Sequence, residues 1–167
     1  DGVALSLIYV NGALDKAVTR GDVESGDDVT ANVKTIKAIP LRLHGNDFPD
    51  SFEVRGEIFM PRKGFDAFND ERVEIGEMPF ANPRNATAGS LKMQQSAEVA
   101  RRPLDNYCYS LLGAEGRFAT HSDSLKALRS WGFKTSNETA VCQSINEVIA
   151  FIEKIGAKRE SLPYDID

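Results

Sequence analysis

Two alternating runs separated by Asn-Gly near the start of the chain constrain the fold most. Residues from Val3 to Val10 alternate between two largely apolar faces, which is the pattern of a strand buried on both sides. Asn11-Gly12 is a preferred pair for a two-residue hairpin turn, because both central positions of a type I′ turn need positive φ. A second strand is predicted from about Leu14 to Thr19. The chain therefore begins with an antiparallel hairpin.

Strands and helices continue to alternate along the rest of the chain. A strand is predicted from Phe52 to Met60, with its even-numbered residues facing the core, and a central strand from 106 to 112. Amphipathic helices that cover a sheet are predicted from Ser122 or Asp123 to Trp131 and from Ser144 to Gly156. Shorter helices are predicted at about 28–36, 62–69 and 96–102, and a long loop at 76–89. The fold class is therefore α+β, with antiparallel sheets flanked by helices.

Composition excludes several classes of protein. With 167 residues, 41% of them hydrophobic, the chain can bury one full core. Twenty basic against 25 acidic side chains give a net charge of −5, which excludes a uniformly basic nucleic-acid coat. No apolar run approaches the roughly 18 residues of a membrane span, and no signal peptide is recognisable. We expect no membrane partner.

The cysteines predict neither a zinc site nor a disulfide. Cys108 and Cys142 lie far apart, and only His44 and His121 could join them as ligands, which is not a metal-binding spacing. A chain with this much core does not need disulfides to fold. We expect reduced thiols and a cytoplasmic protein.

Three polar clusters interrupt the structural patterns. Thr19-Arg20-Gly21-Asp22 places an arginine at a strand exit, as part of a ligand site or as a solvated turn. Glu53-Val54-Arg55-Gly56-Glu57 places two carboxylates and a guanidinium on one strand face, as a ligand site or as an ion-pair ladder. Residues 80–92 hold asparagines, an arginine and a lysine, which suit a phosphate-binding helix start or an ordinary loop-to-helix junction.

Taken together, the clusters resemble the adenylation domain of bacterial NAD-dependent DNA ligases. The resemblance spans essentially the whole chain, and the Phe-Ala-Asn-Pro-Arg-Asn loop is characteristic of the NAD-dependent branch. It implies the nucleotidyltransferase fold shared by DNA ligases and mRNA capping enzymes. The motifs are Asp1-Gly2, Thr19-Arg20-Gly21-Asp22, Glu53-Val54-Arg55-Gly56-Glu57, Asn82-Pro83-Arg84-Asn85 with Gly89-Ser90-Leu91, and Tyr164-Asp165-Ile166-Asp167.

The same resemblance implies that residues 1–167 are part of a domain. In the family, a nucleophilic lysine stands two residues before the aspartate of a Lys-x-Asp-Gly motif, which would place it ahead of Asp1. A second lysine follows the segment that here ends at Asp167. Since both ends also fall in strand-like runs, we expect an internal piece of a longer protein that lacks both lysines and is inactive alone.

The implied reaction consists of three phosphoryl transfers. A lysine attacks the α-phosphate of NAD, AMP passes to a DNA 5′-phosphate, and a 3′-hydroxyl displaces AMP to seal the nick. Each step needs positive charge around a crowded phosphate. By resemblance, Arg20 lies near the ribose and phosphates, and Arg84 lies near the AMP phosphate.

Further site residues follow from the resemblance, and the pair Arg101 and Arg102 is added for its charge. Glu57 would accept a hydrogen bond from the adenosine ribose. Tyr109 would stack on adenine, and the alternative is that Tyr109 is a tyrosine of the hydrophobic core. Asp1, in the Asp1-Gly2 motif, and Asp167 would steady the lysines or a magnesium ion. Two candidates for contact with DNA phosphates are Arg159 and Lys92, and Lys92 stands where the family usually has an arginine. Arg101 and Arg102 are further candidates, for which a solvated helix end is the alternative.

The implied cofactors are NAD and Mg²⁺, with zinc confined to modules outside this chain and no metal site expected within it. The implied partner is nicked double-stranded DNA, and a monomer is expected. Two alternatives remain open. One is an ATP-dependent ligase or capping-type guanylyltransferase, against which residues 82–91 argue. The other is a nucleotide-binding core without catalysis.

Overall fold

The predicted hairpin is present in the structure, a computed structural model that describes residues 1–20 and 25–167. β1 (Val3–Val10) pairs antiparallel with β2 (Ala13–Thr19). Asn11 and Gly12 between them have φ values of 49° and 77°, both in the left-handed region that a type I′ turn requires. The hairpin prediction is confirmed.

The hairpin forms one side of a four-stranded antiparallel sheet. β1 also pairs with β3 (Ser51–Phe59), which pairs with β4 (Asp105–Leu112), so the strand order is β2-β1-β3-β4. The strand predicted at 106–112 is present, but the prediction that it is central is wrong, because β3 is the only described strand paired with β4. A loop meets the other edge of β4, where the Cys108 N–H donates to the Lys134 carbonyl at 2.8 Å.

Helices connect these strands, and the described part of the chain is therefore α+β, as predicted. It contains six α-helices and the 3₁₀ turn Arg159–Ser161. The helices are α1 (Thr30–Val33), α2 (Arg62–Glu74), α3 (Pro83–Leu91), α4 (Ser96–Val99), α5 (His121–Ser130) and α6 (Ile145–Lys158). Within the described residues, no helix is both long enough and apolar enough to cross a membrane.

The core lies on one face of the sheet. The predicted inward side of β3 is confirmed, since Phe52, Val54 and Ile58 are at most 3% exposed. From β1 the core receives Leu5, Leu7 and Tyr9, and from α5 and its C-terminal end it receives Leu128 and Trp131. The opposite face of the sheet carries polar side chains, which therefore point away from the core: Ser6, Glu53, Arg55 and Glu57.

Several helix boundaries differ from the prediction. α1 and α4 end early because the following N–H groups, such as that of Ile36, bond three residues back instead of four. α2 extends beyond Asn69, and Phe65 and Phe68 are only half-buried. The predicted loop at 76–89 is wrong over its second half, because α3 begins at Pro83.

The last two helices correct other expectations. Thr120 caps α5 in place of Ser122 or Asp123, since its hydroxyl accepts the Asp123 N–H at 3.1 Å. Gly132, with φ of 103°, ends that helix as predicted.

α6 begins after Ser144 as predicted, but it continues through Gly156. Among the described elements it contacts mainly the 3₁₀ turn that directly continues it in sequence, and Ile145 and Ile152 are 70% and 62% exposed. The prediction that α6 covers the sheet is therefore wrong.

Candidate functional site

A cavity of about 370 Å³ opens at the end of the sheet where β1 begins and β2 ends. It is lined by Arg20 directly after β2, Glu57 on β3, and Arg84 and Lys92 at the two ends of α3. Three cationic side chains therefore surround one space that also has the carboxylates of Glu57 and Asp27 in its wall, and clustered cations of this kind attract anionic ligands. Gly21 and Asp22, which share a motif with Arg20, lie outside the described residues.

The start of the chain closes one wall of this cavity. The Gly2 N–H donates to Glu57 Oε1 at 3.1 Å, and Arg84 Nη1 lies 3.5 Å from Asp1 Oδ1. A Cβ on Gly2 would lie 1.9 Å from the Ile58 carbonyl oxygen, so only glycine lets β1 approach β3 this closely. The structure thus brings Asp1, Gly2, Glu57 and Arg84 together.

Tyr109 lies at a second cavity, of about 230 Å³, that also has Glu57 in its wall. The Tyr109 ring is 41% exposed, so it is not a core tyrosine. Arg20 Nη1 donates to Tyr109 Oη at 3.3 Å and joins the two cavities across the open face of the sheet. Asp1 and Asp167 line this second cavity as well, with Tyr107 and Tyr164.

Local capping of α3 explains how Arg84 reaches the first cavity. Asn82 Oδ1 accepts the Asn85 N–H at 2.8 Å, and Pro83 fills the first helical position, where an N–H has no intrahelical partner. Arg84 follows in the first turn with its side chain 61% exposed. The asparagine and proline of the motif therefore start the helix, and the arginine is left available to a ligand.

The remaining predicted cations lie elsewhere. Arg102 stacks on the Phe68 ring, 4.6 Å from its centroid, and donates to Ser90 Oγ at 3.0 Å. Burial and, to a smaller extent, a neighbouring guanidinium lower the Arg102 pKa. Arg101 is exposed, and Arg159 donates to the Ile166 carbonyl at 2.5 Å beside a separate groove that Asp167 also lines.

Two ion pairs near the site carry contacts that the sequence did not single out. Glu53 accepts from Ser6 Oγ at 2.7 Å and from Arg55 Nε at 3.0 Å, and the Ser6 hydrogen bond is the main cause of its lowered pKa. The sequence placed Arg55 on the same strand face as Glu53, but it did not point to Ser6. Arg62 pairs with Asp165 at 2.5 Å and holds the last described segment against α2, and no local pattern marks that pair.

No group of three or more potential metal ligands from histidine, cysteine, aspartate or glutamate occurs among residues 1–20 and 25–167. Cys108 is buried and Cys142 half-buried, and both are free thiols.

Comparison with known proteins agrees with the order of the motifs. A family model described as the NAD-dependent DNA ligase adenylation domain matches residues 1–167. The chain is 50% identical over 167 residues to a DNA ligase of Flavobacterium psychrophilum and 49% identical over 167 residues to one of Flavobacterium johnsoniae. A DNA ligase of Stutzerimonas stutzeri is 48% identical over 168 residues. These alignments cover 100% of this chain but only 25%, 25% and 21% of the relatives, so the chain spans about a quarter of their length.

Proposed function

Because the chain belongs to the family of NAD-dependent DNA ligase adenylation domains, we propose that it forms the nucleotide site of a ligase that takes AMP from NAD. The observation that carries the proposal is the convergence of Arg20, Arg84 and Lys92 on one cavity beside Glu57. This arrangement suits a bound nucleotide, since its phosphates need cations and its ribose needs an acceptor. The match also favours NAD over ATP as the adenylate donor. We place the domain in the nucleotidyltransferase fold.

The nucleotide is proposed to lie across both cavities. Tyr109 offers an exposed ring for the adenine, and Glu57, which lines both spaces, offers an oxygen to the ribose hydroxyls. Arg84 and Arg20 would then face the phosphates. Their charges stabilise the negative charge that develops as the α-phosphate is transferred.

The lysine that accepts AMP is proposed to stand two residues ahead of Asp1, where the family carries it. Asp1 pairs with Arg84 and lies beside Glu57, so it is suited to orient that lysine. Asp167, in the wall of the second cavity, is assigned to the second lysine or to a magnesium ion. Mg²⁺ binds through few carboxylates together with nucleotide phosphates, so we expect it to enter with NAD.

The DNA substrate is proposed to be a nicked duplex, sealed by the parent ligase during replication and repair. With a net charge of −5, this chain alone is a poor DNA binder, so most of the binding must come from other parts of such a protein. We assign three exposed cations to DNA phosphates, namely Arg101, Arg159 and Lys92, the last of which also lines the nucleotide cavity. The named relatives are bacterial DNA ligases, and we place the protein beside the DNA in the cytoplasm, as a monomer.

The test is intact-mass measurement of an AMP adduct. A ligase of the relatives' full length that carries this sequence, incubated with NAD and Mg²⁺, should gain AMP, and residues 1–167 alone should not. In the full-length protein, Glu57→Ala and Arg84→Ala should each slow adduct formation by about 10- to 100-fold, the loss expected for one charge-assisted hydrogen bond.

Arg42→Ala is the matched control. Arg42 is exposed and pairs with Ala13, so it lies at the turn end of the hairpin, away from the cavity. An unchanged rate in Arg84→Ala, or an equal loss in Arg42→Ala, would contradict the role assigned to Arg84. Absence of an adduct in the full-length protein would contradict the function itself.

A further inference from the structure

The segment that leads into α3 is held by a side chain outside the cavity. Asn69, on α2, forms two hydrogen bonds with the backbone of Phe80. Its Nδ2 donates to the Phe80 carbonyl at 2.9 Å, and the Phe80 N–H donates to its Oδ1 at 2.9 Å. A side-chain amide here pairs with a peptide group as a neighbouring strand would, and only asparagine or glutamine offers both a donor and an acceptor in that form.

The Phe80 ring contacts side chains of α2 and the backbone of α3. The Arg72 guanidinium lies 4.5 Å from the ring centroid, and the Phe68 ring stacks on it at 5.9 Å. On α3, a Cβ at Gly89 would lie 3.1 Å from the Phe80 ring, so the ring packs directly on the backbone of that helix. Phe80 therefore joins α2 to α3.

The turn before Phe80 is also tied to α2. Arg72 Nε donates to the Met78 carbonyl at 2.8 Å, and Arg72 Nη1 pairs with Glu77 at 2.7 Å. The Glu77 N–H donates back to the Arg72 carbonyl at 2.8 Å. Because both ends of the turn are held in this way, Phe80 has little freedom to shift.

These contacts hold the segment that leads directly into α3. Asn82, the N-cap of α3, comes two residues after Phe80, and Arg84 comes two residues after the cap. A shift of Phe80 would therefore move the cap and the first turn, which carries Arg84 into the cavity. Asn69 itself does not line that cavity.

We propose that Asn69 is a positioning residue of the nucleotide site, which holds Phe80 and thereby sets the place of Arg84. This inference rests on the proposed function, because it assigns to Asn69 an effect on adenylate transfer that acts through Arg84. It assigns no contact between Asn69 and the nucleotide.

The test is a double-mutant cycle in the full-length ligase, with the rate of enzyme–AMP formation from NAD as the readout. Asn69→Asp replaces the donating Nδ2 with an oxygen that faces the Phe80 carbonyl. We expect it to slow adenylation about 3- to 10-fold, as for the loss of one hydrogen bond. In the Arg84→Ala background, the same change should alter the rate by less than about 2-fold, because the residue it positions is absent.

Asp70→Asn is the control on the same helix, since Asp70 is exposed and adjacent to Asn69, and it should leave the rate unchanged. If Asn69→Asp does not fold, Asn69→Ala replaces it in the double-mutant cycle. Asn69→Ala removes both hydrogen bonds to Phe80 but does not place a carboxylate oxygen against the Phe80 carbonyl. A general loss of stability would reduce the rate equally in both backgrounds, and that result would overturn the inference.

The remaining outcomes separate the inference from the function it rests on. If Arg84→Ala slows adenylation and neither Asn69 variant does, the positioning role fails while the proposed function stands. If Arg84→Ala has no effect, the role of Arg84 and the positioning role fail together.

Discussion

Asn32 should be among the polar residues on which the stability of the chain depends most. It is 7% exposed, and both hydrogens of its Nδ2 are used. They are donated to the Leu91 carbonyl at 2.8 Å and to the Met93 carbonyl at 2.7 Å. Leu91 is the last residue of α3, where carbonyls have no intrahelical partner. Asn32 thereby fixes the C-terminal end of α3 against α1.

Asn32→Ala would leave both carbonyls without this donor. One unpaired buried carbonyl costs about 1–3 kcal/mol, and the Met93 contact is only partly buried, so we expect a total loss of about 2–4 kcal/mol. For a chain of this size, 1 kcal/mol corresponds to about 2–4 °C, which predicts a fall in Tm of about 5–15 °C. Asn32→Asp should cost more, because a carboxylate would face two carbonyl oxygens.

Urea unfolding followed by tryptophan fluorescence measures this loss directly. Trp131 is the one tryptophan of the sequence and is 3% exposed, so its emission reports loss of the core. Asn46→Ala, at an exposed asparagine, is the control and should change the free energy of unfolding by less than about 0.5 kcal/mol. If both Asn32 variants unfold within that same margin of the unmodified chain, the reasoning from unpaired carbonyls is refuted.

Two predictions concern titratable groups. Burial raises the pKa of Cys108 to about 12, so a thiol reagent at about pH 8 should modify half-buried Cys142 in the folded chain and both cysteines only after unfolding. Fast modification of both cysteines in the folded chain would contradict this. The Ser6 hydroxyl and, to a smaller extent, Arg55 lower the Glu53 pKa. The ionised Glu53 therefore stabilises the folded chain fully above the ordinary pKa of 4.5, and this contribution is lost as the pH falls through the lowered pKa of the folded state. Glu53→Gln should therefore be less stable than the unmodified chain near neutral pH, by urea unfolding, and the difference should close in acid; a difference that is independent of pH would exclude this linkage.

Local signals predicted local structure well. Asn11-Gly12 forms its turn because the required φ values are a property of two adjacent residues. The inward face of β3 follows from alternation within one strand. The apolar pattern of α6 predicted a helix correctly but not its neighbour, because amphipathicity indicates that a face needs covering and does not identify which element covers it.

For the candidate site, too, the sequence located residues but not their tertiary contacts. The motifs located Arg20, Glu57 and Arg84, and the structure places all three on one cavity. Arg102 was singled out by its charge, but its stacking on Phe68 depends on a tertiary contact that charge cannot indicate. Polar residues whose partners are distant backbone groups leave no periodic signal in the sequence, and the supports of α3 are of that kind.

Near each end of α3, an asparagine side chain forms hydrogen bonds with the backbone. Asn32 binds backbone carbonyls at its C-terminal end, and Asn69 binds the peptide group of Phe80 ahead of its N-terminal cap. These asparagines come from different helices, α1 and α2, so α3 is held between two parts of the chain that are distant in sequence. Because Arg84 and Lys92 lie at opposite ends of this helix, each support lies next to a different cation of the cavity. The spacing of the two cations is thus set by one helix, which packs on β1 and β3 and has an amide side chain as a further support near each cation.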